Sequence, residues 1–151
     1  MRIQNPVRLA IASCLLTLIP LSVTAQFAKK EDAIKYRQSA FALMSAHMGR
    51  IGAVVKGEAP FNAADVQKNA AIIATLSELP WPGFGANTEG GKAKPVIWKE
   101  TAKFNGHSDK FIKAAADLNA AAKTGNLDQV KKAFGATGQA CKACHDDYRD
   151  K

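Results

Sequence analysis

The sequence lacks the alternation of apolar and polar residues that is typical of β-strands. It also lacks an internal repeat, a low-complexity tract and any linker long enough to divide it into separate domains. Alanine is abundant instead, which favours helix. These absences exclude a β fold and a repeat architecture, so the 151 residues are expected to contain one helical domain.

Cysteine, histidine and methionine are scarce, with three of each. Cys14 lies in an N-terminal stretch that we expect to be removed, which leaves Cys141 and Cys144. A disulfide between these two would close almost no loop, so it would stabilise the fold little. The pair therefore needs another explanation.

The N-terminal stretch has the features of a secretory signal peptide. Arg2 and Arg8 precede an apolar run over residues 9–23, and small residues lead up to Ala25. The run is short for a membrane span and is interrupted by Pro20. We therefore expect cleavage after Ala25, with export and no membrane attachment afterwards.

Residues 26–151 form the predicted mature domain, for which the loss of two arginines lowers the formal net charge from +8 to +6. Four stretches in it carry an apolar stripe at spacings of three and four residues, as amphipathic helices do. They run from about residue 31 to 55, from an N-cap at Asn62 to a stop at Pro80, from about 96 to 123, and from near Asn126 almost to the C-terminus. One-sided stripes and mostly short connections predict an all-α, antiparallel four-helix bundle.

The stripes name the residues expected to face inward. The first comprises Ile34, Arg37, Phe41, Met44, Met48, Ile51 and Val55; the third comprises Ile97, Thr101, Phe104, Ser108, Phe111, Ala115, Leu118 and Ala122; the fourth comprises Val130, Phe134, Thr137, Cys141, Cys144 and Tyr148. Residues 80–95 hold three prolines and four glycines and form the long irregular segment, whose Trp81 and Phe84 suggest that it packs onto the bundle.

The sequence Cys141-x-x-Cys144-His145 places two thiols and an imidazole on one flank of the last helix. A structural zinc site needs four ligands, and His47 and His107, both distant in sequence, are the only other histidines that could complete it. A thioredoxin-like redox pair wants a βαβ context and a lowered thiol pKa. Covalent attachment of haem c fits best, with two thioether bonds and His145 as an iron ligand.

Arg37 occupies a core position, where an unpaired guanidinium is costly. It either holds a haem propionate, with Gln38 beside it as a second donor, or lies at the edge of the bundle with its charge in water. The haem interpretation favours the propionate contact.

These arguments do not determine which ligand, if any, occupies the face of the iron opposite His145. No methionine follows His145, and Met44 and Met48 lie on the inner stripe of the first helix. If Phe41 covers the iron, the metal is five-coordinate beside an apolar pocket; if Met44 or Met48 reaches it, the site is closed and low-spin. His47 lies next to the stripe and is not expected to be a ligand.

The stretches "QFAKKEDAIKYRQSAFALMSAHMGR", "LSELPW", "TEGG" and "CKACHDDYR" closely resemble cytochrome c′, a family of class II c-type cytochromes. The resemblance covers essentially all of residues 26–151. It implies a periplasmic bundle, usually a homodimer built from the first two helices, with high-spin, five-coordinate haem that binds nitric oxide and carbon monoxide and discriminates against oxygen.

The resemblance also implies roles for single residues. It matches Cys141 and Cys144 to the thioether cysteines and His145 to the proximal ligand. Arg37 and Gln38 match residues near the propionates, Trp81 a tryptophan at the haem edge, and Arg149 a basic residue beside the proximal histidine, one helical turn on. Phe41 matches a distal capping position where many relatives have leucine, and low-spin relatives place a methionine ligand on the first helix, which makes Met44 a candidate.

Other functions are weaker expectations. An electron carrier would dock an acidic partner protein on basic residues near the haem-bearing helix, namely Lys131, Lys132, Lys142, Arg149 and Lys151. A peroxidase-like enzyme would want a distal acid–base residue, and none lies on the inferred distal stripe, so no enzymatic activity is expected. The modest charge and the predicted export exclude nucleic acid as a partner.

Overall fold

The computed structural model describes residues 26–151, so the predicted signal peptide lies outside the described residues. These residues form four α-helices and two short 3-10 turns, and no named strand: α1 (Lys30–Val55), α2 (Ala63–Leu76), 3-10 turns at Trp81–Phe84 and Pro95–Trp98, α3 (Thr101–Lys123) and α4 (Leu127–Tyr148). The prediction of a four-helix bundle is confirmed. No helix in this range is both long and apolar enough to cross a membrane.

Local sequence signals set the N-terminal starts of α2 and α4. The side-chain oxygen of Asn62 accepts hydrogen bonds from the backbone N–H groups of Ala64 and Asp65, at 3.0 and 3.2 Å. The side chain of Asn126 accepts from the N–H of Gln129 at 3.0 Å. Both helices therefore begin where the sequence predicts.

The third helix begins later than predicted. Residues Pro95–Trp98 form a separate 3-10 turn, and Glu100, with φ −112° and ψ 41°, interrupts the helical backbone before α3 starts at Thr101. Ile97 is buried in this turn, whereas Thr101 is exposed. The assignment of Thr101 to the inward stripe was wrong, because the spacing of three and four continued across a break in the helix.

Two apolar clusters lie along the bundle. The first joins all four helices through the buried residues Ile51, Val66, Ala70, Ile73, Ala115, Leu118, Ala122 and Val130, and Met48 packs against it. Near it the buried Thr137 donates its hydroxyl to the carbonyls of Ala114 and Ala133, at 3.1 and 2.9 Å, which ties α4 to α3. The second cluster is centred on Ile97, Phe104 and Tyr148, and the segment between α2 and α3 supplies most of its other members.

Candidate functional site

The two cysteines lie in the last turns of α4, beside the second apolar cluster. Both are half-buried free thiols, and Cys144 packs against the cluster formed by Ile97, Phe104 and Tyr148. His145 follows on the same helix and is exposed. The motif therefore presents the thiol of Cys144 towards a largely aromatic surface, and not towards solvent alone.

The surroundings of the thiols keep them protonated. Burial raises the pKa of Cys141, and burial together with the neighbouring Cys141 and Asp147 raises the pKa of Cys144 to about 11. A redox-active dithiol needs a lowered pKa at its attacking sulfur. The raised pKa of both thiols therefore disfavours the thioredoxin-like alternative.

The surroundings of His145 favour the neutral form of its imidazole, although the residue as a whole is exposed. Partial burial lowers its pKa, and the positive charge of Arg149 lowers it further against the opposing effect of Asp146. A neutral imidazole is the form that ligates a metal. His145 and Arg149 line a common cavity of about 510 Å³ at the C-terminal end of the chain.

Arg149 differs from its predicted placement. The sequence places it on the helical face of His145, but α4 ends at Tyr148, and Arg149 has extended backbone with φ −119° and ψ 129°. It forms an isolated antiparallel bridge with Ala93. Its backbone N–H still bonds to the carbonyl of His145 at 3.0 Å, which keeps the two residues adjacent.

The other two histidines contact polar side chains away from Cys141 and Cys144. His47 lies 2.7 Å from the side-chain oxygen of Asn69, between α1 and α2. His107 is distant in sequence but reaches the last turn of α4, where its Nε2 lies 3.3 Å from the carboxylate of Asp147. Within residues 26–151 no three His, Cys, Asp or Glu side chains are grouped to hold a metal ion, so the zinc alternative gains no support.

Arg37 is buried, with 3% of its surface exposed, so its expected alternative position with the charge in water is wrong. Its Nη1 donates to the carbonyls of Gly83 and, at 2.8 Å, Thr88; its Nη2 donates to that of Gly90 at 2.7 Å. Burial lowers the pKa of its guanidinium.

The guanidinium also lies 4.5 Å from the ring centre of Phe84 and 5.6 Å from that of Trp98. Arg37 therefore anchors the irregular segment to α1. The sequence analysis did not predict this anchoring role. The one signal for it in the sequence was a charged residue within an apolar stripe, in a chain that also has a glycine-rich loop. Gln38 is exposed, and its side chain lies against the backbone of Gly91.

The structure brings Phe41 and Trp81 together. Phe41 is half-buried, and its ring meets that of Trp81 edge-on at 5.9 Å and that of Phe84 at 6.3 Å. Trp81 in turn contacts Phe104 at 5.9 Å, and Phe104 contacts Tyr148 at 5.4 Å. One aromatic cluster thus extends from Phe41 on α1 to the cysteine-bearing end of α4.

The two methionines of α1 differ in their surroundings. Met44 is buried, with 3% exposed, and lies one turn from Phe41. Met48 packs against the first core cluster with the buried Ile51. Met48 and Ile51 therefore serve the core, which leaves Met44 as the methionine beside the candidate site.

The family model described as cytochrome c′ matches residues 32–149. The chain is 52% identical over 126 residues to cytochrome c′ of Alcaligenes xylosoxydans xylosoxydans, which covers 83% of this chain and 99% of the relative, and 48% identical over 129 residues to that of Rubrivivax gelatinosus. Solved structures agree. A nitric oxide complex of a leucine-to-alanine variant of the Alcaligenes xylosoxidans protein has a TM-score of 0.81 at 52% identity, covering 83% of this chain and 99% of that one. The Rubrivivax gelatinosus structure has a TM-score of 0.80 at 48% identity, covering 83% and 100%. This chain belongs to the cytochrome c′ family.

Proposed function

We propose that the protein holds haem c through Cys141 and Cys144, with His145 as the single protein ligand of a five-coordinate iron, and that it binds nitric oxide and carbon monoxide on the opposite face beside Phe41. The observation that carries this proposal is the aromatic cluster. In it, Phe41 of α1 contacts Trp81 of the segment between α2 and α3, and Trp81 packs against the apolar cluster that Cys144 also contacts.

The residues present fit the cofactor. Members of this family bind haem c, and both attachment cysteines are present. Two thiols, an imidazole whose pKa is lowered and an apolar surface beside them match what a porphyrin needs from a protein. The haem supplies an iron that coordinates a diatomic gas; the chain orients it and controls access to its two faces.

Phe41 is the proposed gate of the distal face. Counted from Gln26, it is the sixteenth residue, and solved structures of the Alcaligenes xylosoxidans relative include variants in which the sixteenth residue, a leucine, is replaced by alanine, isoleucine, valine or phenylalanine. Three of these are nitric oxide complexes. A gas reaches the iron of this chain when the Phe41 ring moves aside.

Discrimination against oxygen is favoured by the engagement of the two indole N–H groups near the gate, because bound oxygen carries partial negative charge and gains from a hydrogen bond. The indole N–H of Trp81 already donates to the carbonyl of Ser77 at 2.7 Å. That of Trp98 donates to the carbonyl of Gly85 at 2.8 Å. Neither indole is free to stabilise oxygen.

On the proximal side, Arg149 is the proposed neighbour of the His145 imidazole. Counted from Gln26 it is the 124th residue, and a reduced structure is known for the relative with its arginine at the 124th residue changed to alanine. For the propionates we propose Arg37 and Gln38. Arg37 keeps its Nε–H and one Nη2–H beyond the three carbonyl contacts.

A second candidate is a low-spin electron carrier with Met44 as the sixth ligand, favoured by the burial of Met44 one turn from Phe41. Docking of an acidic redox partner gains less support, because Lys142 pairs with Asp146 and Lys131 lies 3.8 Å from Asp128.

We also propose export to the periplasm, cleavage after Ala25, a homodimer and no enzymatic activity. The groove between α1 and α2, lined by His47, Arg50 and Asp65 among others, and the exposed Leu43 on α1 are consistent with an interface there.

The test is the absorption spectrum of the reduced holoprotein with and without carbon monoxide, followed by association kinetics of Phe41→Ala. We expect the reduced protein to form a carbon monoxide complex. If the Phe41 ring is moved aside in no more than about 10% of molecules, its removal in Phe41→Ala should speed carbon monoxide association about tenfold or more. Phe61→Ala is the matched control, because Phe61 is exposed two residues before α2 and its loss should leave the rate unchanged. A reduced spectrum that ignores carbon monoxide would favour the Met44-ligated alternative, and an unchanged rate in Phe41→Ala would remove Phe41 as the gate.

A further inference from the structure

The end of α4 is held by a residue from outside the helix. The last carbonyls of a helix have no intrahelical partner and need another donor. Here the ammonium of Lys94 donates to the carbonyls of Asp146 and Asp147, both at 3.1 Å, and the backbone N–H of Lys94 donates to that of Tyr148 at 3.0 Å. One residue of the segment before α3 thus satisfies three carbonyls next to His145.

The same segment holds the residues that follow the helix. Ala93 and Arg149 form an antiparallel bridge, and the N–H of Asp150 donates to the carbonyl of Lys92 at 2.9 Å. Lys94 is extended, with φ −66° and ψ 140°, as expected for a residue before proline. We call the paired residues 92–94 and 148–150 the C-terminal clip.

The ammonium of Lys94 contacts carbonyls and not the nearby carboxylates. Those are engaged by other cations: Asp146 pairs with Lys142, and Asp147 lies 3.2 Å from Lys103 and 3.3 Å from His107. Lys94 lines the cavity that also holds His145 and Arg149. Its geometry is therefore that of a remote cap on the helix that carries the imidazole.

We propose that Lys94 is a positioning residue for the proximal face: through the C-terminal clip it fixes Arg149 beside His145 and so sets the charge next to the iron ligand. This rests on the proposed function, because His145 must ligate the iron for the placement of Arg149 to affect it. When Lys94 is lost, the clip opens more often and Arg149 moves away from the imidazole.

The first test is amide hydrogen exchange of residues 148–151 in the oxidised holoprotein. Lys94→Met should speed exchange of the Asp150 amide about fivefold, the effect of losing a charged cap at a helix C-terminus. Lys92→Met is the matched control, because it removes the same charge two residues away while the Lys92 carbonyl still accepts from Asp150. Lys94→Arg keeps donors for both carbonyls and should restore slow exchange.

The second test is a double-mutant cycle on the reduction potential with Lys94→Met and Arg149→Gln. Removing a cation from beside the iron should lower the potential, so both single variants should fall below the wild type. If Lys94 acts through Arg149, its replacement in the Arg149→Gln background should shift the potential less than half as much as in the wild type. Equal shifts in both backgrounds, or exchange of the Asp150 amide unchanged in Lys94→Met, would overturn the proposal.

Carbon monoxide association distinguishes this proposal from the proposed function. It should stay within about twofold of the wild type in Lys94→Met, because the distal gate is on the other face. A wild-type protein that does not bind carbon monoxide would refute the proposed gas site, whereas normal binding with an unaltered clip would refute the role of Lys94 alone.

Discussion

Replacement of Arg37 is expected to destabilise the fold, because its side chain makes many contacts with the segment between α2 and α3. The guanidinium contacts three backbone carbonyls that lie 46 to 53 residues further along the chain, and two aromatic rings enclose it. Arg37→Met keeps much of the apolar stem but removes every donor. The irregular segment between α2 and α3 then loses its anchor on α1.

The loss of stability depends on the backbone carbonyls that no longer have a hydrogen-bond donor. Gly83 and Thr88 are buried, so their carbonyls cannot turn to water without movement of the segment, while that of the half-buried Gly90 can be rehydrated. A buried acceptor without a donor costs about 2 kcal/mol, hence about 4 kcal/mol for two, and the charge that no longer has to be desolvated returns about 1 kcal/mol. We therefore expect Arg37→Met to lower the free energy of unfolding by about 3 kcal/mol, which corresponds to a fall in Tm of about 10 °C for a domain of this size.

The assay is guanidinium unfolding of the holoprotein followed by helical circular dichroism, with hydrogen exchange over residues 83–91 as a local probe. Arg37→Lys should lose less, about 2 kcal/mol, because one ammonium cannot reach three separated carbonyls. Lys35→Met, an exposed position on the same helix, is the control and should stay within about 0.5 kcal/mol of the wild type. A loss below about 1 kcal/mol in Arg37→Met, with exchange over residues 83–91 unchanged, would refute the assignment of Arg37 as the anchor.

Two further outcomes test the close packing around the site. A Cβ at Gly83 would lie 2.9 Å from the carbonyl oxygen of Ala33, so Gly83→Ala should cost about 2 kcal/mol, whereas Gly138→Ala, with open space around it, should not destabilise; equal Tm values would contradict the contact. In the haem-free chain the raised pKa of Cys144 favours the thiol, so this group stabilises the fold at neutral pH and that stability is lost as the pH rises through about 11. Alkylation of Cys144 in the folded haem-free chain should therefore reach half its maximal rate near pH 11, and a midpoint at the ordinary thiol value would show that the thiol is not desolvated.

Several features were predictable because their signals are local. Asn62 and Asn126 cap helices through hydrogen bonds to residues two or three positions away, so their effect is readable in the sequence itself. The spacing of Cys141, Cys144 and His145 places them on one flank of any helix. The third helix shows the limit of such reasoning, since an apolar spacing continued through Glu100, where the backbone is not helical.

The sequence alone determined the helical class of the domain, the Cys-x-x-Cys-His motif on its last helix and the anomaly of a charge at Arg37, because each depends on residue type and short-range spacing. Only the tertiary structure decided what Arg37 binds, that Phe41 meets Trp81, and that Ala93 and Lys94 hold the chain around Arg149. These contacts join residues 40 to 56 positions apart in the sequence, and no local pattern specifies which of the many polar and aromatic groups will meet once the helices pack.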